Sequence, residues 1–223
     1  MISALQGRGF GHGSGLINPT HDLFIINVPK NASSFVLDWG RRHGWSAALA
    51  ENHSDTITEM IVILRDPVER WISGIAQYIN SYILSVHGPN GPIFPGEPLT
   101  EHDYGMDAQM FIDQYTDVTE RLIFDVISRF DDHVWPQNEI IRDRLPKVQR
   151  KYFILDHDFD QKIQQYLGWQ PVSELDRNQG SDSDNNARLQ NFFRERLKQR
   201  PELYKRLCLH YADDYILLST CQI

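Results

Sequence analysis

Residues 23–34 read LFIINVPKNASS. The first six form a short apolar run rich in β-formers, the pattern of a strand buried on both faces of a parallel sheet. The run breaks at Pro29 and Lys30, and residues 35–43 then show helical spacing before Gly44, which suits a C-terminal cap. A strand that turns tightly into a helix leaves the first helical N–H groups unpaired and aimed outward, with the positive end of the helix dipole behind them. Asn31, Ala32, Ser33 and Ser34 would supply those groups, the two serines would add hydroxyl donors, and Lys30 would bring a full charge. Alone, the turn reads equally well as a phosphate cradle or as a helix capped by Ser33 or Ser34 with Lys30 solvated. A Walker A loop is excluded, because no glycine stands between positions 16 and 39.

The pattern repeats downstream. A second apolar run, MIVIL at 60–64, stops at Arg65 and Asp66. Asp66, Pro67 and Glu69 then make a helix start, with Asp at the cap, Pro first and Glu third. The helix expected over 68–85 carries Trp71, Ile75, Tyr78, Ile79 and Tyr82 near one face. Ser73 lies eight positions after Arg65, about two helical turns on. An arginine at a strand end and a serine on the following helix suit a second phosphate; the competing arrangement pairs Arg65 with Asp66 or Glu69.

A third strand is expected at 151–155 (KYFIL), followed by a helix at 159–167 that ends at Gly168. Helical spacing also covers 107–130 in two segments, 187–199, and a last helix from Pro201 to about 218. Strands alternating with helices predict an α/β fold: a central parallel sheet flanked by helices, with a largely helical C-terminal half. Ligands in such folds sit beyond the carboxyl ends of the strands, where PKNASS and RDPVER both fall.

The opening GRGFGHGSG has no strand before it, so residues 1–21 read as a flexible Gly-rich segment ahead of a single domain over 22–223. Residues 87–104, rich in Pro and Gly, read as a long loop, either an acceptor-binding flap or a plain connection, and the polar stretch 177–186 reads as a loop too.

Composition narrows the classes. With 22 Lys+Arg against 30 Asp+Glu the formal charge is −8, which argues against nonspecific binding to nucleic acid or an anionic membrane. No stretch approaches the roughly 20 apolar residues of a membrane span. Cys208 and Cys221 have neither CxxC nor zinc-site spacing, and reduced thiols in a cytoplasmic protein are expected. His157, between Asp156 and Asp158, has no partner at a recognised metal spacing.

FIINVPKNASS followed by VILRDPVERWISG resembles the two cofactor signatures of sulfotransferases that use 3'-phosphoadenosine 5'-phosphosulfate (PAPS). Pro29, Lys30, Asn31, Ala32, Ser33 and Ser34 match the family's 5'-phosphosulfate loop position by position, and Arg65, Asp66, Pro67 and Ser73 match its 3'-phosphate signature. FDDHVWPQ at 130–137 and LYKRLCLHYADDYILL at 203–218 resemble segments of the carbohydrate-type branch. The membrane anchor usual in animal carbohydrate sulfotransferases and the downstream Gly-rich motif of the cytosolic small-molecule enzymes are both missing from the sequence.

The resemblance implies transfer of a sulfuryl group to a hydroxyl acceptor, a carbohydrate or small alcohol, with no metal required. Lys30 would stabilise charge growing on the leaving phosphate, while the loop N–H groups, Ser33 and Ser34 hold the 5'-phosphosulfate, and Arg65 and Ser73 hold the 3'-phosphate. His133, with Asp131 or Asp132 to orient it, is the expected base, and His87, His102 and Glu69 stand in reserve. Trp71, Tyr78 and Tyr82 fit a core better than an adenine site. A polyanionic acceptor would need a local basic strip, for which Arg41, Arg42, Arg142, Arg144, Lys147, Arg150 and Lys151 are candidates. Two other readings stay open: a Mg²⁺-dependent P-loop-type kinase, and a non-catalytic nucleotide-binding module of the same fold.

Overall fold

The computed structural model describes residues 13–80, 107–126, 132–170 and 184–221. In chain order these form β1 (Ser14–Ile17), β2 (Leu23–Ile26), α1 (Ser33–Arg42), β3 (Ser46–Leu49), β4 (Glu59–Leu64), α2 (Pro67–Tyr78), α3 (Ala108–Gln114), α4 (Val118–Arg121), α5 (Gln137–Ile141), β5 (Gln149–Ile154), α6 (Phe159–Leu167), α7 (Asp184–Gln199), α8 (Pro201–His210) and α9 (Ala212–Cys221). The chain divides into two compact units: residues 1–66, 136–178 and 216–223 form the first, and 67–135 with 179–215 the second. A single domain over 22–223 was expected.

The first unit is built on a five-stranded sheet in the order β3-β1-β2-β4-β5. β2, β4 and β5 run parallel, as the three apolar runs predict, whereas β1 pairs antiparallel with both β2 and β3. The sheet is therefore mixed, which corrects the expectation of a parallel one. β1 also corrects part of the flexible segment expected over 1–21, because Leu16 and Ile17 are buried. Its sequence, SGLI, is too short and too poor in β-formers to announce a strand. Pairing makes it one: a Cβ on Gly15 would stand 2.0 Å from the Ile25 carbonyl oxygen, so only glycine permits the approach of β1 to β2. β3, SAAL, has equally little intrinsic preference and owes its conformation to the ladder with β1.

β4 is buried along Met60–Leu64 as a strand inside a sheet should be, while β5, at the edge, alternates exposed and part-buried residues over Gln149–Tyr152 and buries only Phe153. Val36 and Trp39 of α1, Phe159 and Ile163 of α6, and Trp169 share one apolar cluster with Leu16, Ile25, Ile61 and Ile63 of the sheet. At about 25 cal/mol per Å² of apolar area, such burial is the main stabilising term for this unit.

The second unit is helical. Trp71, Ile72, Ile75 and Ile79 are at most 1% exposed and pack in one cluster with Phe111, Val118, Leu122, Phe193, Leu197, Leu203 and Leu207. Trp71 meets Phe193 edge to face at 5.7 Å, which settles it as core. The last helix, expected to run unbroken to about 218, breaks at Tyr211, whose ring is buried and whose hydroxyl donates to the Val134 carbonyl. Among the described residues no helix is long and apolar enough to cross a membrane.

Candidate functional site

The β2–α1 turn holds two non-glycine residues in the left-handed region, Lys30 at φ 70° and Ala32 at φ 58°. Each costs about 1–2 kcal/mol relative to ordinary backbone, so the surrounding contacts must impose the shape. The turn is closed by the Asn31 N–H donating to the Val28 carbonyl at 3.1 Å, and the first helical bond runs from the Val36 N–H to the Ala32 carbonyl at 2.9 Å. Ala32 is the N-cap of α1 and offers no side-chain cap. Ser33 and Ser34 lie within the first turn, so the arrangement in which either serine caps the helix does not occur. No acidic residue sits in that turn, while Arg41 and Arg42 sit in the last one, so the charges leave the N-terminal end of the dipole open to an anion. Backbone N–H groups brought together by residues of alternating hand form an anion-binding concavity.

A neutral polar knot fixes this turn. Asn31, 2% exposed, donates through Nδ2 to the Ile63 carbonyl at 2.7 Å and to Gln137 Oε1 at 2.5 Å. Gln137, fully buried at the start of α5, accepts from the Arg65 N–H at 3.0 Å and donates through Nε2 to the Arg65 carbonyl at 2.8 Å. Its amide thus pairs with Arg65 as a neighbouring strand would. The Arg65 guanidinium reaches back, with Nη1 donating to the Lys30 carbonyl at 3.2 Å. Lys30, Asn31, Ala32, Ser33, Ser34 and Arg65 lie together in the first unit, but the Asn31 N–H, expected among the outward-facing donors, is taken by the Val28 carbonyl. Gln137 was not singled out as a site residue, although it closes the segment FDDHVWPQ; nothing in a lone glutamine marks it as the partner of two strand ends.

Ser73 and His133 belong to the second unit. Ser73 is half-buried on α2, and the neighbouring Gly74 would place a Cβ 2.7 Å from the His133 carbonyl oxygen, so α2 and the single turn Asp132–Val134 pack backbone to backbone. Glu69, held in reserve as a base, is committed elsewhere. Arg194 of α7 grips it with Nε at 3.2 Å from both carboxylate oxygens and Nη2 at 2.8 Å from Oε2, and the carboxylate raises the guanidinium's pKa further. A hollow of about 350 Å³ is lined by Val68, Ile72, Leu197, Tyr204 and this Glu69–Arg194 pair, a size and mixture common to small-molecule sites.

His87, His102, Tyr82, Asp131 and the 87–104 loop lie outside the described residues, as do the Asp132 side chain and most of 177–186. The basic residues of the first unit are partly neutralised. Arg42 pairs with Asp38 at 3.0 Å and Arg144 with Glu51 at 2.7 Å, while the Arg150 guanidinium donates to the carbonyls of Ile141, Arg142 and Arg144 just past α5. His157 pairs with Asp158 at 3.2 Å on the surface, and the described residues hold no cluster of metal-ligating side chains. No family model, curated protein or solved structure matches the chain.

Proposed function

We propose that the protein is a sulfotransferase, moving a sulfuryl group from PAPS to a hydroxyl acceptor such as a carbohydrate or small alcohol, on a P-loop-like α/β framework. The observation that carries this reading is the uncapped start of α1 behind a turn with Lys30 and Ala32 both left-handed. A turn that endures that strain without glycine, on the sequence PKNASS, has a purpose beyond joining β2 to α1.

The donor set fits a phosphosulfate: main-chain N–H groups at a helix start, two serine hydroxyls, and the cationic groups of Lys30 and Arg65 in the same unit. PAPS would supply an activated sulfuryl group on a phosphate leaving group. In this reading the Lys30 ammonium meets negative charge on the leaving oxygen, the Ser33 and Ser34 donors orient the anion, and Arg65, whose Nη1 braces the Lys30 carbonyl, binds the 3'-phosphate. Ser73 as a further 3'-phosphate donor and His133 as the base are part of the same proposal, resting on the sequence resemblance. The scheme asks for no metal.

Calorimetric binding of 3'-phosphoadenosine 5'-phosphate, beside ATP with Mg²⁺, tests it. Tighter binding of the 3'-phosphorylated nucleotide is expected; tighter binding of ATP would sink the proposal in favour of a kinase. Arg65→Ala should weaken that binding by roughly tenfold or more, as loss of a charge-assisted contact does. Binding without transfer to any hydroxyl acceptor would leave a nucleotide-binding module.

A further inference from the structure

We infer that Gln137 is the positioning residue of the anion-binding turn, holding Lys30 and Ala32 in their left-handed conformations by locking two strand ends in register; this rests on the nucleotide site proposed above. The geometry assigns each atom of its amide a task. Oε1 receives both the Arg65 N–H and the Asn31 amide, and Nε2 returns a bond to the Arg65 carbonyl. The orientation has no alternative, because rotating the amide would set Nε2 against two donors and Oε1 against a carbonyl. Asn31 is fixed the same way, since both its amide hydrogens face acceptors.

The consequence reaches the turn by two routes. Asn31 sits between the two strained residues, so the bond from its Nδ2 to Gln137 Oε1, beside the one to the Ile63 carbonyl, holds the middle of the turn down. Arg65, gripped through its main chain, is set to donate to the Lys30 carbonyl from outside. With Gln137 removed, the turn loses one anchor directly and the other's register, and left-handed strain is free to relax into a shape whose N–H groups no longer converge. Gln137 is given no contact with the ligand itself, so its role is exerted through Asn31 and Arg65.

Calorimetry with 3'-phosphoadenosine 5'-phosphate separates positioning from mere support. Gln137→Ala is expected to lose roughly tenfold or more in affinity. Adding Ala32→Gly to that variant should recover much of the loss, because glycine holds a positive φ without the Cβ penalty. Recovery is judged against Ala32→Gly in the wild-type background. Unchanged affinity in Gln137→Ala, or no recovery in the double variant, overturns the assignment.

Should Gln137→Ala fail to fold, Gln137→Glu decides. A neutral carboxyl can donate to the Arg65 carbonyl as the amide does and an ionised one cannot, while burial favours the neutral form. Its affinity relative to wild type should therefore rise from mildly alkaline to mildly acidic buffer, and a flat ratio overturns the role. If wild type binds no 3'-phosphorylated nucleotide, the sulfotransferase proposal fails by itself. The amide resonances of Ser33 and Ser34 then still report on Gln137: they shift in its variants if it sets the turn, and stay in place if it does not.

Discussion

Two sets of polar contacts, one in each unit, join elements with opposite chemistry. Beneath the β2–α1 turn the polar partners are neutral amides, Asn31 and Gln137, at most 2% exposed and aimed at main-chain groups. The set compared with them in the helical unit consists of ion pairs nearer solvent: Glu69 with Arg194, whose side chains are 40% and 32% exposed, and Glu120 with both Arg196 and Arg200. A buried neutral group that loses its partner is left unsatisfied, at about 1–3 kcal/mol, whereas a part-exposed ion pair contributes about 0–1 kcal/mol. At the β2–α1 turn buried amides thus hold a strained backbone in one shape, whereas these ion pairs need only keep helices adjacent.

The largest effect expected tests what that rigid turn is for. Lys30→Ala should lower sulfuryl-transfer turnover by about 10²–10³-fold, the loss of about 3–4 kcal/mol of transition-state stabilisation. Thermal unfolding should move little, since Lys30 is part-exposed and its main-chain carbonyl still receives Arg65. Turnover near wild type would remove Lys30 from its role and leave the strained turn without a purpose.

The next test sets the two chemistries side by side. Asn31→Ala strips partners from the Ile63 carbonyl and from Gln137, and should cost about 2–3 kcal/mol in urea unfolding. Glu69→Gln keeps shape and some hydrogen bonding to Arg194 and should cost under about 1 kcal/mol. Adding salt should weaken the wild-type Glu69–Arg194 pair and narrow that second difference, but leave the first untouched. Equal costs, or a salt-sensitive Asn31 effect, would break the contrast between the units.

How much of this was legible beforehand follows the same physics. The apolar runs 23–28 and 60–64 marked β2 and β4 because a strand covered on both faces must be apolar throughout, and α1 and α6 were visible because their ends carry Gly44 and Gly168, both at positive φ. SGLI and SAAL were not, because their extended form comes from partners distant in sequence. The division into two units left no mark in composition. At the proposed site, the charged and hydroxyl groups stood out in PKNASS and RDPVER, since residue type is read directly from the sequence. The knot beneath them joins positions 106 and 72 apart in sequence, and no periodicity or spacing encodes such a contact.

The smallest effect concerns a third polar knot, at the surface hairpin between β1 and β2, where the same task is done with a charge. His21 there is left-handed at φ 62°. Asn18 accepts from the N–H groups of Asp22 and Leu23, both at 3.0 Å, and donates to Asp22 Oδ1 at 2.7 Å, while Thr20 donates to that same oxygen. Hydrogen bonds from Thr20 and then Asn18 hold the Asp22 carboxyl below its ordinary pKa of 3.8. A folded-state pKa depressed in this way contributes stability above the unfolded value, and that stability is lost as pH falls through the folded one. Asp22→Asn should therefore flatten the acid limb: the fall in unfolding free energy from pH about 5 to about 2 is shallower than in wild type. Because the knot is largely solvated, the difference should be small and confined to that window, whereas the neutral Asn31–Gln137 knot has no protons to gain there. An Asp22→Asn acid limb as steep as wild type would mean that the charge at this turn does no more than a neutral amide would.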